Sequence, residues 1–413
     1  MLDLKEIRRD PEPVRAALAR RGAADVLDEL LSLDAHRREL LPRLEELRAK
    51  QNEANDRIAE AKRSGADASG AIEEMRGVAA EAKQLQAEVG SVEERLNEAL
   101  AGVPNPPDPT APEADEVLRE VGESGATGRD HLDLLGGLVD MEAGARVAGS
   151  RFAYLKGPLV LLEFALVRWA LDLLGGKGFE PVIPPVLVRE EALHGTGFLP
   201  DTEQQIYALP EDELYLAGTA EVPLASLHGG QIVREEDLPI RYAGFSPCFR
   251  REAGAAGKDT RGIFRVHQFD KVEMFTFVRP EDAREEHERL LAIEEEILQA
   301  LAIPYRVVNI AVGDLGASAA KKYDLEAWLP GQERFRELTS CSNTTDFQAR
   351  RLDVRYRPGD GGVRHVHTLN GTAVAVGRTI IAIVENHQRE DGTVAVPEVL
   401  HEFGAPQVIA ASD

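Results

Sequence analysis

Between residues 30 and 100 apolar positions recur at alternating steps of three and four. Leu30, Leu33, Arg37, Leu40, Leu44, Leu47, Gln51, Ala54, Ile58 and Ala61 make one seam, and Val78, Ala82, Leu85, Val89, Val92, Leu96 and Ala99 make a second. The turn-like stretch Ser64–Gly70 separates them. Two sustained seams joined by a short turn predict an antiparallel coiled-coil hairpin. At a rise of ~1.5 Å per residue, a helix of about 35 residues would reach roughly 50 Å. Pro42 lies inside the first seam and should kink that helix or end its first part, because it lacks an N–H and crowds the preceding turn. A shorter helical pattern covers about residues 1–26, with Asp10-Pro11 near a helix start. The seams alone are equally compatible with a dimerisation coil, a spacer or a binding arm.

The pattern changes at Gly102-Val-Pro-Asn-Pro-Pro-Asp-Pro-Thr-Ala-Pro112, which cannot continue a helix and reads as a stiff linker. The expected organisation is a helical arm over 1–102, a proline-rich linker over 103–114 and one large α+β domain over 115–413. Within that domain an apolar helix is expected over about 157–174. Strand-like runs follow at Leu214–Ala217, Arg241–Phe249, Val272–Phe277, Tyr305–Ile310 and Tyr323–Trp328. Thr379–Glu385 fits a strand or a buried helix equally well. Strands without a regular βαβ rhythm predict an antiparallel sheet flanked by helices.

Charge complicates any nucleic-acid role. With 48 Lys and Arg against 72 Asp and Glu, the formal net charge is −24, so non-specific binding to phosphate is disfavoured. Such a partner would have to meet local basic patches, and Arg37, Arg38, Arg43, Arg48, Lys50, Arg57, Lys62 and Arg63 supply one along the first seam. Each of these also has the ordinary reading of a solvated helix face with Glu partners. The only cysteines, Cys248 and Cys341, form neither a disulfide framework nor a metal-binding pair, which points to a reducing, cytoplasmic setting. The N-terminus lacks the apolar run of a secretory signal. The most apolar stretch, Leu159–Leu174, is interrupted by Glu163, Arg168 and Asp172, so no membrane association is expected.

Candidate chemistry concentrates in the second half. Phe249-Arg-Arg-Glu252 ends an apolar strand, and Arg250 and Glu252, two apart, are expected on one sheet face. A Gly-rich basic loop from Gly257 to Arg265 follows, with Lys258 and Thr260 inside it, and His267-Gln-Phe-Asp-Lys-Val-Glu273 returns as a second strand. A guanidinium can grip a carboxylate or phosphate in bidentate fashion, a carboxylate can accept from an amine, and an aromatic ring can stack a base. Thr219-Ala-Glu221 is expected just after an apolar strand, with its two side chains two apart, and Glu337-Leu-Thr-Ser340 at the end of another. Asn370-Gly-Thr372 precedes Val376-Gly-Arg378, a turn leading into an apolar element. Singly, each has a plainer reading as a cap, a turn or a surface ion pair. There is no Walker sequence or G-x-G-x-x-G, so a nucleotide would be held another way.

The order of these segments is more specific than any one of them. Gly178-Phe-Glu-Pro-Val-Ile-Pro-Pro185, Phe249-Arg-Arg-Glu252 and Gly377-Arg378 resemble the three motifs of class II aminoacyl-tRNA synthetases. Thr219-Ala-Glu221, His267-Gln-Phe269, Lys271-Val-Glu273 and Asn370-Gly-Thr372, with the hairpin, resemble the seryl-tRNA synthetase family in its ordinary bacterial-type branch. That resemblance implies ATP-dependent activation of L-serine to seryl-adenylate and transfer to the 3′ end of tRNA(Ser), with tRNA(Sec) a further candidate. It implies that Arg250 bridges the serine carboxylate and the α-phosphate, that Glu252 faces the adenine amino group and that Phe269 stacks on the base. Arg378 would hold the γ-phosphate, with Arg265 assisting, and Glu337 and Ser340 would ligate Mg²⁺. Thr219 and Glu221 would line the serine subsite, while Glu273 and Thr372 receive the serine hydroxyl. Thr372 stands where the family commonly has a smaller residue. The hairpin would reach the tRNA, with Arg37, Arg38, Arg48 and Arg57 as contact candidates, and motif 1 would form a homodimer. No zinc is expected. A carrier-protein-loading paralogue would lack the hairpin, and a catalytically silent relative would have lost Arg250, Glu252, Glu337 or Arg378.

Overall fold

The computed structural model describes residues 2–65, 67–200, 205–253, 259 and 261–411. Ala66 of the expected turn, and Gly254, Gly257, Lys258 and Thr260 of the expected Gly-rich loop, lie outside the described residues. The chain divides into two compact units, residues 2–104 and 105–413.

In the first unit, helices Val26–Ser64 and Ser69–Gly102 pack against each other as the seams predict. Leu30, Leu33, Leu40, Leu44, Leu47, Ala54 and Ile58 are buried on one helix, and Ala82, Leu85, Val89, Val92, Leu96 and Leu100 on the other. No seam position between Ile58 and Ala82 is fully buried among the described residues, so packing thins toward the tip. The short helices Leu4–Arg9 and Pro11–Ala19 bury Ile7 and Leu18. Arg8 reaches the buried Asp34 at 3.2 Å.

Pro42 does not end its helix, which runs unbroken from Val26 to Ser64. Pro42 and Arg38 are both exposed, so the proline lies on the outer side of the helix, away from the seam. Leu40 and Leu44 beside it are buried, at 1% and 3% exposure. Tertiary packing of the seam outweighs the local cost of proline, about 3 kcal/mol in an isolated helix interior.

In the second unit an eight-stranded sheet carries the architecture. Its order is Glu116–Val121, Tyr305–Asn309, Lys321–Leu329, Arg334–Asn343, His367–Ala375, Gln268–Val278, Ile240–Phe249 and Glu180–Val182. Every pairing is antiparallel except the last, where Glu180–Val182 runs parallel to Ile240–Phe249. The expected antiparallel sheet is therefore mixed at one edge. Helix Pro158–Gly176 delivers the chain directly into that edge strand, and Pro181, which cannot donate to a ladder, is tolerated there. Helices Pro158–Gly176, Ala283–Ala300 and Val376–Asn386 cover the sheet. The ambiguous run Thr379–Glu385 is thus helical, with Ile380, Ile381, Ala382, Ile383 and Val384 all buried.

The proline-rich segment is tied to this unit. Asn105 N–H donates to the Ala317 carbonyl at 2.8 Å, its side-chain amide donates to the Ser318 and Thr344 carbonyls, and Asp108 N–H donates to Ala320. Among the described residues no helix is long and apolar enough to cross a membrane.

Candidate active site

One face of the sheet opens into a cleft of about 750 Å³, lined by Thr219, Glu221, Arg250, Glu252, Arg265, Phe269, Glu273, Glu337, Ser340, Thr372 and Arg378 among others. All eleven positions expected from the sequence to hold serine, ATP or Mg²⁺ come together there. Several arrive by a different route from the one expected.

Arg250 and Glu252 do not share a strand face. The strand ends at Phe249, and Glu252 adopts a left-handed conformation, φ +51°, which is uncommon for a residue with a Cβ. Arg250 Nε donates to the Gly218 carbonyl at 3.1 Å, and its guanidinium lies 5.2 Å from the Phe269 ring centroid. Glu252 Oε2 accepts from Arg265 at 2.6 Å. Arg265 also lies 3.6 Å from Asp259, and these carboxylates hold its guanidinium above the usual value although burial opposes them.

Glu337 and Ser340 lie within strand Arg334–Asn343 rather than at its end. Residues three apart in a regular strand face opposite sides. Here the pairing register shifts beside Leu338, so that Leu325 faces Thr339 while Glu326 faces Glu337. This bulge brings both side chains to the cleft. Burial pushes the Glu337 carboxyl up, but Arg378, Lys322 and Arg250 outweigh it and hold it below the usual carboxylate range. Arg378 donates to the Glu337 carbonyl at 2.9 Å and to the Phe264 carbonyl at 3.4 Å. Phe264 is buried with the guanidiniums of Arg336 and Arg378 at 3.9 and 4.7 Å from its ring centroid.

The inner end of the cleft is a buried polar network. Glu273 faces Thr372 across neighbouring strands, and Asn370-Gly-Thr372 is mid-strand, with no turn before the helix that carries Arg378. Thr219 Oγ1 donates to Glu273 at 3.2 Å and accepts from Lys271 at 2.7 Å; Lys271 also pairs with Glu273. Glu221 follows strand Leu214–Leu216 and opens a short helix, Glu221–Ser226. Its Oε1 accepts from the Gln348 and Asn370 amides at 2.7 and 3.1 Å. Burial, and then the nearby charge of Glu273, push its pKa up to about 7. Behind Thr372, the fully buried Glu294 accepts from Thr339 at 2.8 Å and is pushed well above the carboxylate range by burial.

Sequence reasoning missed Lys322, Gln348, Phe264 and Arg336 as parts of this site. Lys322 lines the cleft, and Asp324 and Glu337 hold its ammonium above the usual value against the effect of burial. Lys322 and Asp324, two apart and so on one face of strand Lys321–Leu329, were a readable signal. Gln348 and Phe264 carried none.

The arm candidates divide. Arg37 donates to Glu93 at 2.8 Å, Arg57 to Glu74 at 2.9 Å, and Arg48 to Gln86, each bridging the two helices. Arg38 is exposed.

Comparison with known proteins agrees with this geometry. Residues 1–107 match the seryl-tRNA synthetase N-terminal domain, and residues 206–387 the tRNA synthetase class II core domain (G, H, P, S and T). The chain is 49% identical to the serine–tRNA ligase of Thermobifida fusca, with 99% of each chain covered. It is 48% identical to that of Streptomyces coelicolor, covering 98% of this chain and 97% of the relative. Among solved structures, seryl-tRNA synthetase from Pyrococcus horikoshii complexed with ATP superposes with a TM-score of 0.91 at 42% identity, over 100% of both chains. Cytoplasmic serine–tRNA ligase from Naegleria fowleri in complex with AMP gives 0.84 at 34% identity, over 98% of this chain and 96% of that one. The chain belongs to the seryl-tRNA synthetase family, with a class II synthetase core and the activity of a serine–tRNA ligase.

Proposed function

We propose that the protein, a cytoplasmic enzyme, activates L-serine with ATP to seryl-adenylate and then transfers the seryl group to the 3′ end of tRNA(Ser). The observation that carries this reading is the pairing of Glu273 with Thr372 at the inner end of a cleft that Arg250, Arg265 and Arg378 also line. ATP-bound and AMP-bound relatives of the same fold support the nucleotide half. The serine carboxylate attacks the α-phosphorus and pyrophosphate leaves. The carboxylate needs no general base, so positioning and electrostatics carry the rate. Arg250 spans carboxylate and α-phosphate, Phe269 stacks the adenine, Glu252 receives its amino group, and Arg378 and Arg265 hold the outer phosphates. In this arrangement Arg265 would exchange part of its contact with Glu252 for phosphate.

Glu337 and Ser340 offer hard oxygen donors on one face of the bulged strand, and the charged Glu337 carboxyl fits Mg²⁺. When bound there, the ion would neutralise phosphate charge. Both cysteines are free and buried, as a reducing compartment allows.

Serine is selected by hydroxyl recognition. Glu273 keeps Thr219 and Lys271 as partners, but alanine would leave its remaining acceptor capacity and the Thr372 hydroxyl without the substrate hydroxyl, so discrimination against it should reach about 10⁴. Pyrophosphate exchange with serine and alanine measures this, followed by charging of tRNA(Ser) and, as a second acceptor, tRNA(Sec). Exchange that does not prefer serine overturns the reading.

The raised Glu221 pKa makes serine binding pH-dependent. The serine ammonium favours the ionised carboxylate, so below about pH 7 each complex must first lose the Glu221 proton. The KM for serine should then rise by up to about tenfold per pH unit, with the KM for ATP much flatter, and Glu221→Gln should flatten the serine profile. A serine KM that is level between about pH 6 and pH 8 removes Glu221 from this role.

A homodimer is also proposed. Leu161 and Phe164 on helix Pro158–Gly176, and Ile183 just after the motif 1 edge strand, are 54%, 62% and 82% exposed. Such large apolar side chains on neighbouring elements suit a protein interface. Phe164→Asp should shift the protein to monomer in light scattering, and a wild-type protein that is an active monomer at micromolar concentration rejects the assembly.

A further inference from the structure

His131 lies outside the motifs described above and is 1% exposed. It stands at the start of helix His131–Leu135. Its Nδ1 is 3.1 Å from Glu385 Oε1, which also accepts from the His131 backbone N–H at 3.2 Å, and Asp130 Oδ2 is 3.6 Å away. Glu385 is itself fixed, because Oε2 accepts from Gly331 N–H at 2.9 Å. With a carboxyl oxygen on one side, Nδ1 carries the proton, which leaves Nε2 as an acceptor. That acceptor meets the backbone N–H of Ile263 at 3.4 Å. Gly262 makes the approach possible: it has φ +73°, and a Cβ there would lie 2.1 Å from Nε2. The same short helix takes a second hold, through Asp133, which accepts from Arg261 at 2.8 Å.

These contacts close a circuit around the phosphate end of the cleft. Ile263 leads into Phe264, whose ring lies against Arg378 and whose carbonyl accepts from it, and then into Arg265. Arg378 and Glu385 lie on one helix, Val376–Asn386. The residues between the Glu385–His131 contact and the two arginines are therefore held at both ends by buried groups. All three polar side chains of the cluster Asp130, His131 and Glu385 are already used in hydrogen bonds, so it serves better as a brace than as a metal site.

We propose that His131 is a positioning residue for the ATP half of the site: its Nε2 braces Ile263, and Glu385 fixes its tautomer. The inference rests on the reading that Arg265 and Arg378 hold ATP phosphates. It predicts an effect on ATP and not on serine, whose subsite lies on Thr219, Glu221, Glu273 and Thr372.

The test is pyrophosphate exchange by the full-length enzyme, titrating ATP and serine separately, with thermal melting of each variant. In His131→Asn the side chain can still donate to Glu385 but is too short to reach Ile263. In His131→Gln the amide oxygen can reach the position of Nε2. The KM for ATP should rise about tenfold in H131N and recover most of that loss in H131Q, with the serine KM unchanged in both. Gly262→Ala, which drives a Cβ against Nε2, should raise the ATP KM in the same way and serves if H131N does not fold. An unchanged ATP KM in folded H131N, equal values for H131N and H131Q, or a parallel rise in the serine KM would each overturn the proposal. Arg378→Ala is the control: if it leaves the ATP KM intact, the phosphate assignment fails rather than the brace.

Discussion

Replacing Arg250 with alanine should reduce serine-dependent pyrophosphate exchange by ~10²–10³ while leaving the protein folded. Arg250 follows the last residue of its strand and is only half-buried, so truncation opens no cavity in the core. What it removes is a guanidinium held by the Gly218 carbonyl and the Phe269 ring. That group is fixed in orientation before any ligand arrives, which is what makes an electrostatic contact effective in a transition state. Arg250→Lys keeps the charge but not the planar fork, so it should recover only part of the loss. Exchange within a few-fold of wild type in a folded R250A protein would show that the carboxylate and α-phosphate are bridged by another group.

The sequence named eleven residues that line one cleft, but much of their geometry was not readable from it. Ordered motifs pointed to Arg250, Glu273, Thr372 and Arg378 together because each motif names its residues, and these four line one cleft. The face reasoning for Arg250 and Glu252 failed because the strand ends at Phe249, and the expected strand end at Ser340 failed because that strand runs on to Asn343. Glu252 reaches the cleft through a left-handed turn, and Ser340 through a bulge at Leu338. Neither departure has a glycine or proline at the position to announce it. Pro42 failed in the opposite sense, because a strong local signal was overridden by buried neighbours on the seam. His131 was invisible for a different reason: its partners Ile263 and Glu385 are 132 and 254 residues away. A lone buried histidine in sequence is indistinguishable from a packed one.

Removing the outer part of the hairpin should separate serine activation from tRNA charging. The inner end must be kept, because Ile7, Leu18, Leu27 and Leu30 are all buried in that part of the chain and Arg8 pairs with the buried Asp34. Arg48 faces Gln86 across the hairpin, so residues 49–85 can be replaced by a short glycine-serine turn with the remaining seam still in register. The ion pairs of Arg37 with Glu93 and Arg57 with Glu74 join half-exposed side chains, and such pairs contribute about 0–1 kcal/mol each. They can therefore be exchanged for phosphate contacts at little cost, which reconciles a paired arm with a nucleic-acid partner. None of the cleft residues lies in the deleted segment, so pyrophosphate exchange should stay within a few-fold of wild type. Charging of tRNA(Ser) should fall by at least about 10²-fold if the arm supplies several phosphate contacts. Charging by the intact protein should weaken as salt rises, since contacts to phosphate and sugar carry the positioning. Both activities are measured on both proteins, with circular dichroism to confirm the shortened hairpin. Equal charging would show that the hairpin is a spacer or a dimerisation coil, and the arm's role in holding tRNA would be lost.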